Sequence, residues 1–217
     1  MTTHDVGRRE RNKQATRVAL RDAALRLAME HGPENVRVSD IADAAGVSPR
    51  TYNNYFSSRE QAIVDAVTAE REQRIISAIL GQPAETGLSD AVLRAIVEHY
   101  ADPSDQAQDV LLMITNNPAL RASYVDRVAV SEDVLTDALF ERAPNMDPLT
   151  ARVLAASVGA AVRVAVGVWL STLSGPASSA GLVVPTGPLT DQLQAALAAL
   201  APAIDSATSR ARPPNSR

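Results

Sequence analysis

The residues with the clearest chemical character lie in the segment SDIADAAGVSPRTYNNYFSSRE, positions 39–60. Ser48 offers a side-chain oxygen for an N-cap and Pro49 suits the first position of a helix, so a short helix is predicted over residues 49–56. Five side chains on this helix can donate hydrogen bonds and none carries a negative charge; they are Arg50, Thr51, Asn53, Asn54 and Tyr55. Such a surface suits the base edges and phosphates of a DNA major groove.

A second short helix is predicted just before this one, over residues 39–45, and it ends at Gly46. Two short helices joined by a tight turn that contains glycine are the sequence form of a helix-turn-helix. The alternative is an ordinary pair of packed helices, which would not need a donor-rich outer face. The residues expected inside this pair are Tyr52, Phe56, Ile41, Ala45 and Val47.

Charge is distributed unevenly along the chain, whose net charge is −4. Residues 1–60 hold ten basic and eight acidic residues, and the rest of the chain holds eleven and seventeen. A basic N-terminal arm on an acidic body fits a DNA-binding head, although a solvated tail is the alternative. The chain has no cysteine, which excludes disulfides, thiolate nucleophiles and zinc knuckles. The N-terminus shows no apolar signal region, so a cytoplasmic location is expected.

Helical periodicity dominates the sequence and no repeat or alternating strand pattern is present, so the predicted fold class is all-α. We predict a helix-turn-helix head over residues 1–60, a helical effector-binding and dimerisation body over 61–206, and a disordered tail over 207–217. The first helix is predicted over residues 12–31, and a long helix over 58–80 leads into the body. Further helices are predicted over 89–101, 104–116, 118–143, 147–173 and 189–206, with a mobile loop over 174–188.

The helix predicted over residues 147–173 is apolar on nearly every side and about as long as a membrane span. Arg163 near its centre and its Ala, Gly, Ser and Val content disfavour a span. A soluble helix of this kind must be covered on every side. A two-fold dimer that pairs the last two helices with their copies in a four-helix bundle would cover it.

A mostly apolar effector pocket is predicted among the helices over 104–116, 118–143 and 147–173. Its expected lining residues are Met113, Asn116, Arg121, Tyr124, Arg163 and Trp169. A pocket with these few polar groups suits a fatty-acyl or other apolar effector better than a sugar or a metal ion. The alternatives stay open: Tyr124 and Trp169 as plain core, and Arg163 in an ion pair or at an interface. No cofactor or metal site is predicted.

Residues 16–60 resemble the N-terminal domain of the TetR family of bacterial transcriptional regulators. The most specific elements are DIADAAGVS, the T-Y-x-x-Y-F run from Thr51 to Phe56, and the S-R-E of Ser58 to Glu60. The resemblance implies a ligand-responsive homodimeric regulator that binds double-stranded DNA at a pseudo-palindromic operator. Repression relieved by a small molecule is the expected mode of action.

The resemblance also implies a DNA-contacting set made up of Thr16, Arg17, Ser39, Ser48, Pro49, Arg50, Thr51, Asn53, Asn54, Tyr55 and Arg59. Within it, Pro49, Arg50 and Asn54 fall where bases are read. Thr51, Tyr55 and Arg59 fall where phosphates are held, and the first helix approaches the backbone at Thr16 and Arg17. Two positions depart from the family pattern. Asn53 replaces a frequent tyrosine, and Arg37 replaces the usual Ser or Thr cap, so either Arg37 has its own role or Ser39 takes over the cap.

Two other functions are alternatives to a ligand-responsive regulator. A DNA-binding protein without an effector would have a solid body rather than a pocket. A helical enzyme would need a nucleophile with a base, or a metal constellation, and the sequence contains no such motif. The sequence therefore predicts a regulator that is not an enzyme.

Overall fold

The computed structural model describes residues 3–101, 105–173 and 188–211. It divides into two compact units, the first made of Met1–Ala69 with Gln106–Tyr124, the second of Glu70–Asp105 with Val125–Arg217. All regular structure in the described ranges is helical, which confirms the predicted all-α class.

Eleven α-helices and one short 3-10 turn, Pro33–Asn35, follow one another in the described ranges. In chain order the helices are α1 (Thr3–His31), α2 (Val38–Ala44), α3 (Pro49–Tyr52), α4 (Arg59–Gly81), α5 (Leu88–Ala101), α6 (Asp105–Asn116), α7 (Pro118–Arg127), α8 (Glu132–Arg142), α9 (Pro148–Leu173), α10 (Leu189–Ala198) and α11 (Ala201–Ala211).

The head is built on the apolar faces of α1 to α4. Its fully buried side chains include Leu20, Ile41, Tyr52, Phe56 and Ile63. Helix α1 ends where Gly32 takes a φ of 83°, a conformation that costs glycine little. The same helix begins at Thr3 rather than near residue 12, so the basic segment at the N-terminus is helical and not an extended arm.

The compact units have other bounds than the expected domains, and the functional division after residue 60 stays a prediction. Helix α4 runs without interruption from Arg59 to Gly81, and the first unit extends along it to Ala69. Helix α4 therefore confirms the long helix predicted over residues 58–80. The first unit also includes Gln106–Tyr124, a later segment that local sequence patterns could not assign to it.

The single helix predicted over residues 118–143 is wrong. The structure has two helices there, because Ser131 caps a new one by accepting a hydrogen bond from Val134 N–H at 3.4 Å. Glu132 and Asp133 in the first turn favour that start. The last predicted helix is likewise divided, with a break at residues 199–200 just before Pro202.

The apolar faces of the last two helices, expected to meet a second copy, are buried within the second unit itself. Helix α10 packs on α9 and α5, and α11 packs on α5. This packing buries the apolar stripe of Leu193, Leu197 and Ile204 within one chain. The exposed large apolar residues of this unit instead lie on α9, where Leu149, Val153, Val164 and Val168 are 70%, 54%, 64% and 52% exposed.

Among the described residues, one helix has the length and composition of a membrane span, Pro148–Thr172, with a mean hydropathy of 1.9. Core helices of soluble proteins can have the same length and hydropathy, and 44% of the apolar window of this helix is buried inside the protein. Its length and composition therefore do not require a membrane.

Two predictions fall largely outside the described residues. The mobile loop expected over 174–188 is described only at its last residue. Helix α11 continues to Ala211, within the segment predicted as a disordered tail, and residues 212–217 lie outside the described range.

Candidate nucleic-acid interface

The turn between α2 and α3 is set by three residues whose roles follow from local chemistry. Gly46 has a φ of 69°, where a side chain would be strained. Ser48 Oγ accepts a hydrogen bond from Thr51 N–H at 3.1 Å, and Pro49 occupies the first position of α3. The predicted cap and turn are confirmed, and they determine where α3 begins.

The cap of α2 follows the first of the two alternatives, a role for Arg37 itself, and not a cap by Ser39. Arg37 is the N-cap residue, and its N–H donates to Asp40 Oδ2 at 3.0 Å. Ser39 lies inside the first turn, exposed, with its Oγ 3.3 Å from Asp40 Oδ1. The carboxylate of Asp40 therefore supplies the capping interaction, and the acidic residue three positions after Arg37 was the signal for it.

Two aromatic side chains hold the inner side of this region. Tyr52 and Phe56 are buried, with ring centroids 5.8 Å apart. The Tyr52 hydroxyl donates to Ser58 O at 2.7 Å, which joins α3 to the start of α4. Burial, and then the charge of Glu60, raises the pKa of Tyr52 to about 12, so this hydroxyl keeps its proton near neutral pH.

The outer face carries the polar side chains expected to meet DNA. Pro49, Arg50, Asn53 and Asn54 are exposed, whereas Thr51 and Tyr55 are half-buried. Helix α3 ends at Tyr52, so Asn53, Asn54 and Tyr55 follow it in a turn. The helix predicted over residues 49–56 is longer than the one observed. Within the described ranges the Arg50 guanidinium has no hydrogen bond or ion pair, so its donors face solvent.

Arg17, predicted near the DNA backbone, is used inside the head. Its Nη2 lies 2.6 Å from Asp65 Oδ1 and its Nε lies 3.1 Å from Asp65 Oδ2. The guanidinium also lies 5.0 Å from the centre of the Phe56 ring. Thr16 donates its hydroxyl to Asn12 O at 2.9 Å, one turn back along α1. The phosphate roles of Arg17 and Thr16 therefore stay predictions, and both side chains have other partners.

Arg59 also has an internal role that the sequence did not reveal. Its Nη1 donates to Glu34 O and Val36 O, each at 2.9 Å, and its Nε donates to Glu60 Oε1 at 2.6 Å. Burial disfavours the ionised Glu60 carboxyl, but hydrogen bonds from Arg59, its own backbone and Ser58, with the Arg59 charge, lower its pKa overall. Arg59 thus ties the segment before α2 to the first turn of α4.

Sequence reasoning missed Asp65, the buried carboxylate that receives Arg17. It follows the buried run Ala62, Ile63 and Val64 on α4. A charged residue inside an apolar face needs a partner of opposite charge, and that requirement was the available signal. The partner itself lies 48 positions away, which local patterns do not identify.

The six residues predicted to line an effector pocket are divided between the two units. Met113, Asn116, Arg121 and Tyr124 belong to the first unit, with Tyr124 buried. Trp169 and Arg163 belong to the second, where Trp169 is half-buried and Arg163 is exposed. Arg163 is thus not buried within the described part of the chain, and its role stays a prediction.

A groove of about 580 Å³ in the second unit lies between the start of α9 and α11. Its lining residues are Asn145, Asp147, Leu149, Thr150, Val153, Leu154, Ala203, Ser206 and Ala207. None of the six predicted pocket residues is among them. The groove is therefore distinct from the predicted effector pocket.

Residues 20–66 match the family described as bacterial regulatory proteins, tetR family. The chain is 29% identical over 135 residues to the HTH-type transcriptional regulator TcmR of Streptomyces glaucescens, covering 58% of this chain and 59% of the relative. It is 47% identical over 51 residues to the HTH-type transcriptional regulator BetI of Agrobacterium fabrum, covering 24% and 25%. These matches span less than two thirds of either relative.

The fold is similar to that of the crystal structure of AlkX, a TetR family repressor from Dietzia sp. strain DQ12-45-1b implicated in biodegradation of n-alkanes. The TM-score is 0.52 at 22% identity, and the similarity covers 88% of this chain and 96% of AlkX. At that identity the likeness establishes a shared fold.

Proposed function

We propose that the protein is a transcriptional regulator that binds duplex DNA through α3 and the turn after it, since residues 20–66 match the tetR family of bacterial regulatory proteins. The observation that carries the proposal is the exposed set of Arg50 on α3 and Asn53 and Asn54 in the turn after it, placed by the helix start that Ser48 fixes. These side chains can pair with base edges, and an arginine can bind guanine O6 and N7 together.

The recognition mode we propose is a two-fold dimer on a pseudo-palindromic operator. The two α3 surfaces would then occupy successive major grooves about 34–36 Å apart. Exposed Leu149, Val153, Val164 and Val168 on α9 support this arrangement, since they form an apolar stripe that a second copy would cover. A cytoplasmic location follows from the proposed role.

For the effector we keep the proposal of an apolar or fatty-acyl compound bound in the body. The support is compositional: α9, in the second unit, contributes mostly small and apolar side chains with a few polar groups. Binding would release DNA if the effector favours the spacing of the two heads that DNA does not accept. A tenfold loss of DNA affinity needs about 1.4 kcal/mol of that preference.

A genomic-fragment binding experiment at two salt concentrations tests the core of the proposal. If each head neutralises three to five phosphates, the log-log slope of affinity against salt should be roughly −5 to −9. The Arg50→Ala variant serves as a matched control, because it should relax preference at one position of each half-site while keeping most of that slope. Failure to retain any fragment at low salt would overturn the proposed function.

A further inference from the structure

Two adjacent residues of α4 contact elements that flank the start of α8. Glu72 Oε2 accepts a hydrogen bond from Ser131 N–H at 2.8 Å. Next to it, the Arg71 guanidinium lies 4.7 Å from the centre of the Tyr100 ring on α5. The Tyr100 hydroxyl in turn donates to Val128 O, in the α7–α8 connection. We refer to these contacts, which lie at the start of α8, as the lower joint.

The other end of α8 is held by a single arginine. Arg142 Nη1 donates to Gln82 O at 2.5 Å, and its Nη2 donates to Pro83 O at 3.1 Å and Thr86 O at 3.0 Å. These three carbonyls belong to the connection between α4 and α5, so one guanidinium fixes the point where α4 ends. We refer to these bonds, which lie at the end of α8, as the upper joint.

The two joints are matched in spacing. At 1.5 Å per residue, Glu72 to Gly81 spans about 13.5 Å along α4, and Glu132 to Arg142 spans about 15 Å along α8. Both intervals run in the same chain direction, so Glu72 of α4 meets the start of α8 and the connection after α4 meets its end. Charged side chains supply both attachments, which makes each bond stronger than one between neutral groups.

We propose that α8 is a brace for α4, with Glu72 and Arg142 as positioning residues that fix the course of the helix leading from the DNA-binding head. Helix α8 also packs along α9, which carries the exposed apolar stripe. The brace therefore connects the proposed dimer helix to α4, and it sets how precisely the two heads of a dimer are spaced. This inference rests on the proposed dimeric function.

The absence of cysteine allows a direct measurement on the full-length dimer. A spin label on Met29→Cys, an exposed position of α1, reports the distance between the two heads. In Glu72→Ala and Arg142→Met the distribution of that distance should become roughly twofold broader, because each joint opens when its charged hydrogen bonds are lost. Glu70→Ala, an exposed neighbour on α4, is the matched control and should leave the distribution unchanged.

A second pair of variants isolates the lower joint if the first ones fold poorly. Ser131→Pro removes the N–H that Glu72 accepts, at a φ of −61° that suits proline, whereas Ser131→Ala removes only the side-chain cap. Amide exchange in the first turn of α8 should rise roughly tenfold or more in Glu72→Ala and Ser131→Pro relative to Ser131→Ala. Distances and exchange rates equal to those of the controls would overturn the brace alone. Absence of any inter-head distance in the unaltered chain would instead overturn the dimer on which the brace depends.

Discussion

The Arg17 guanidinium of α1 binds the Asp65 carboxylate of α4 through two hydrogen bonds, at 2.6 and 3.1 Å. Asp65 is buried, and the Arg17 side chain is 35% exposed. The pair joins α1 to α4 through two residues that are 48 positions apart in sequence. The same guanidinium lies over the Phe56 ring. The stability of the head thus depends on a residue that resemblance places at the DNA backbone.

Arg17→Ala should destabilise the head by about 2–4 kcal/mol, because it removes the positive charge and the two hydrogen bonds that Arg17 gives to the buried Asp65 carboxylate. This free-energy loss is smaller than that expected for a fully buried pair, because solvent reaches the partly exposed Arg17 side chain and weakens the attraction. Arg26→Ala is the matched control on the same helix, since its pair with Glu30 at 3.3 Å is exposed and contributes about 0.5 kcal/mol or less. Urea unfolding measures both. Equal effects of the two variants would contradict the internal role of Arg17.

The raised pKa of Tyr52 predicts a loss of stability in alkaline solution. Its pKa is about 12 in the folded chain against a reference of 10.0, so above pH 10 the unfolded state has lost a proton that the folded state keeps. Stability from this group is complete below pH 10 and falls as pH rises towards 12, by about 2–3 kcal/mol in all. Unfolding free energies measured from pH 9 to 12 test this expectation. Tyr52→Phe should flatten the decline, whereas Tyr55→Phe should not.

Short-range signals predicted much of the head and little of its internal support. Ser48, Pro49 and Gly46 act on neighbours within a few residues, so the turn could be placed from sequence. The roles of Arg17 and Arg59 depend on Asp65 and Val36, which lie 48 and 23 positions away and are brought close only by folding.

The body shows the same limit at the level of helices. Residues 118–143 have helix-compatible composition throughout, and the cap at Ser131 that divides them was overlooked. The apolar stripe of Leu193 and Leu197 was predicted correctly as a buried face, but periodicity could not tell whether its cover comes from the same chain or from a partner. The structure covers it within one chain.

Arg50 and Arg59 should respond differently to removal, although both lie close to the proposed DNA surface. Arg50→Ala should leave stability unchanged and weaken binding to a selected fragment by about 1–3 kcal/mol, with relaxed preference at one position of each half-site. Arg59→Ala should lower the unfolding free energy by about 1–3 kcal/mol, because Glu34 O and Val36 O lose a charged donor. Thermal unfolding and fragment binding separate the two effects. A folded, fully stable Arg59→Ala protein with a shallower salt slope would assign Arg59 to phosphate contact alone.

Val164 on α9 offers the sharpest test of the proposed dimer. Leu193→Glu and Leu197→Glu are unsuitable, because both leucines are buried within one chain and a charge there would unfold the body. Val164 is 64% exposed in the single chain, so Val164→Glu should fold normally and place two carboxylates in a two-fold interface. A cost of about 2 kcal/mol would raise the dimer dissociation constant roughly 30-fold, which sedimentation at several concentrations can measure. Leu112→Glu on α6, where the side chain is 59% exposed, is the matched control and should leave the dimer intact. If Val164→Glu remains as dimeric as the control and binds DNA equally well, the subunits meet through another surface.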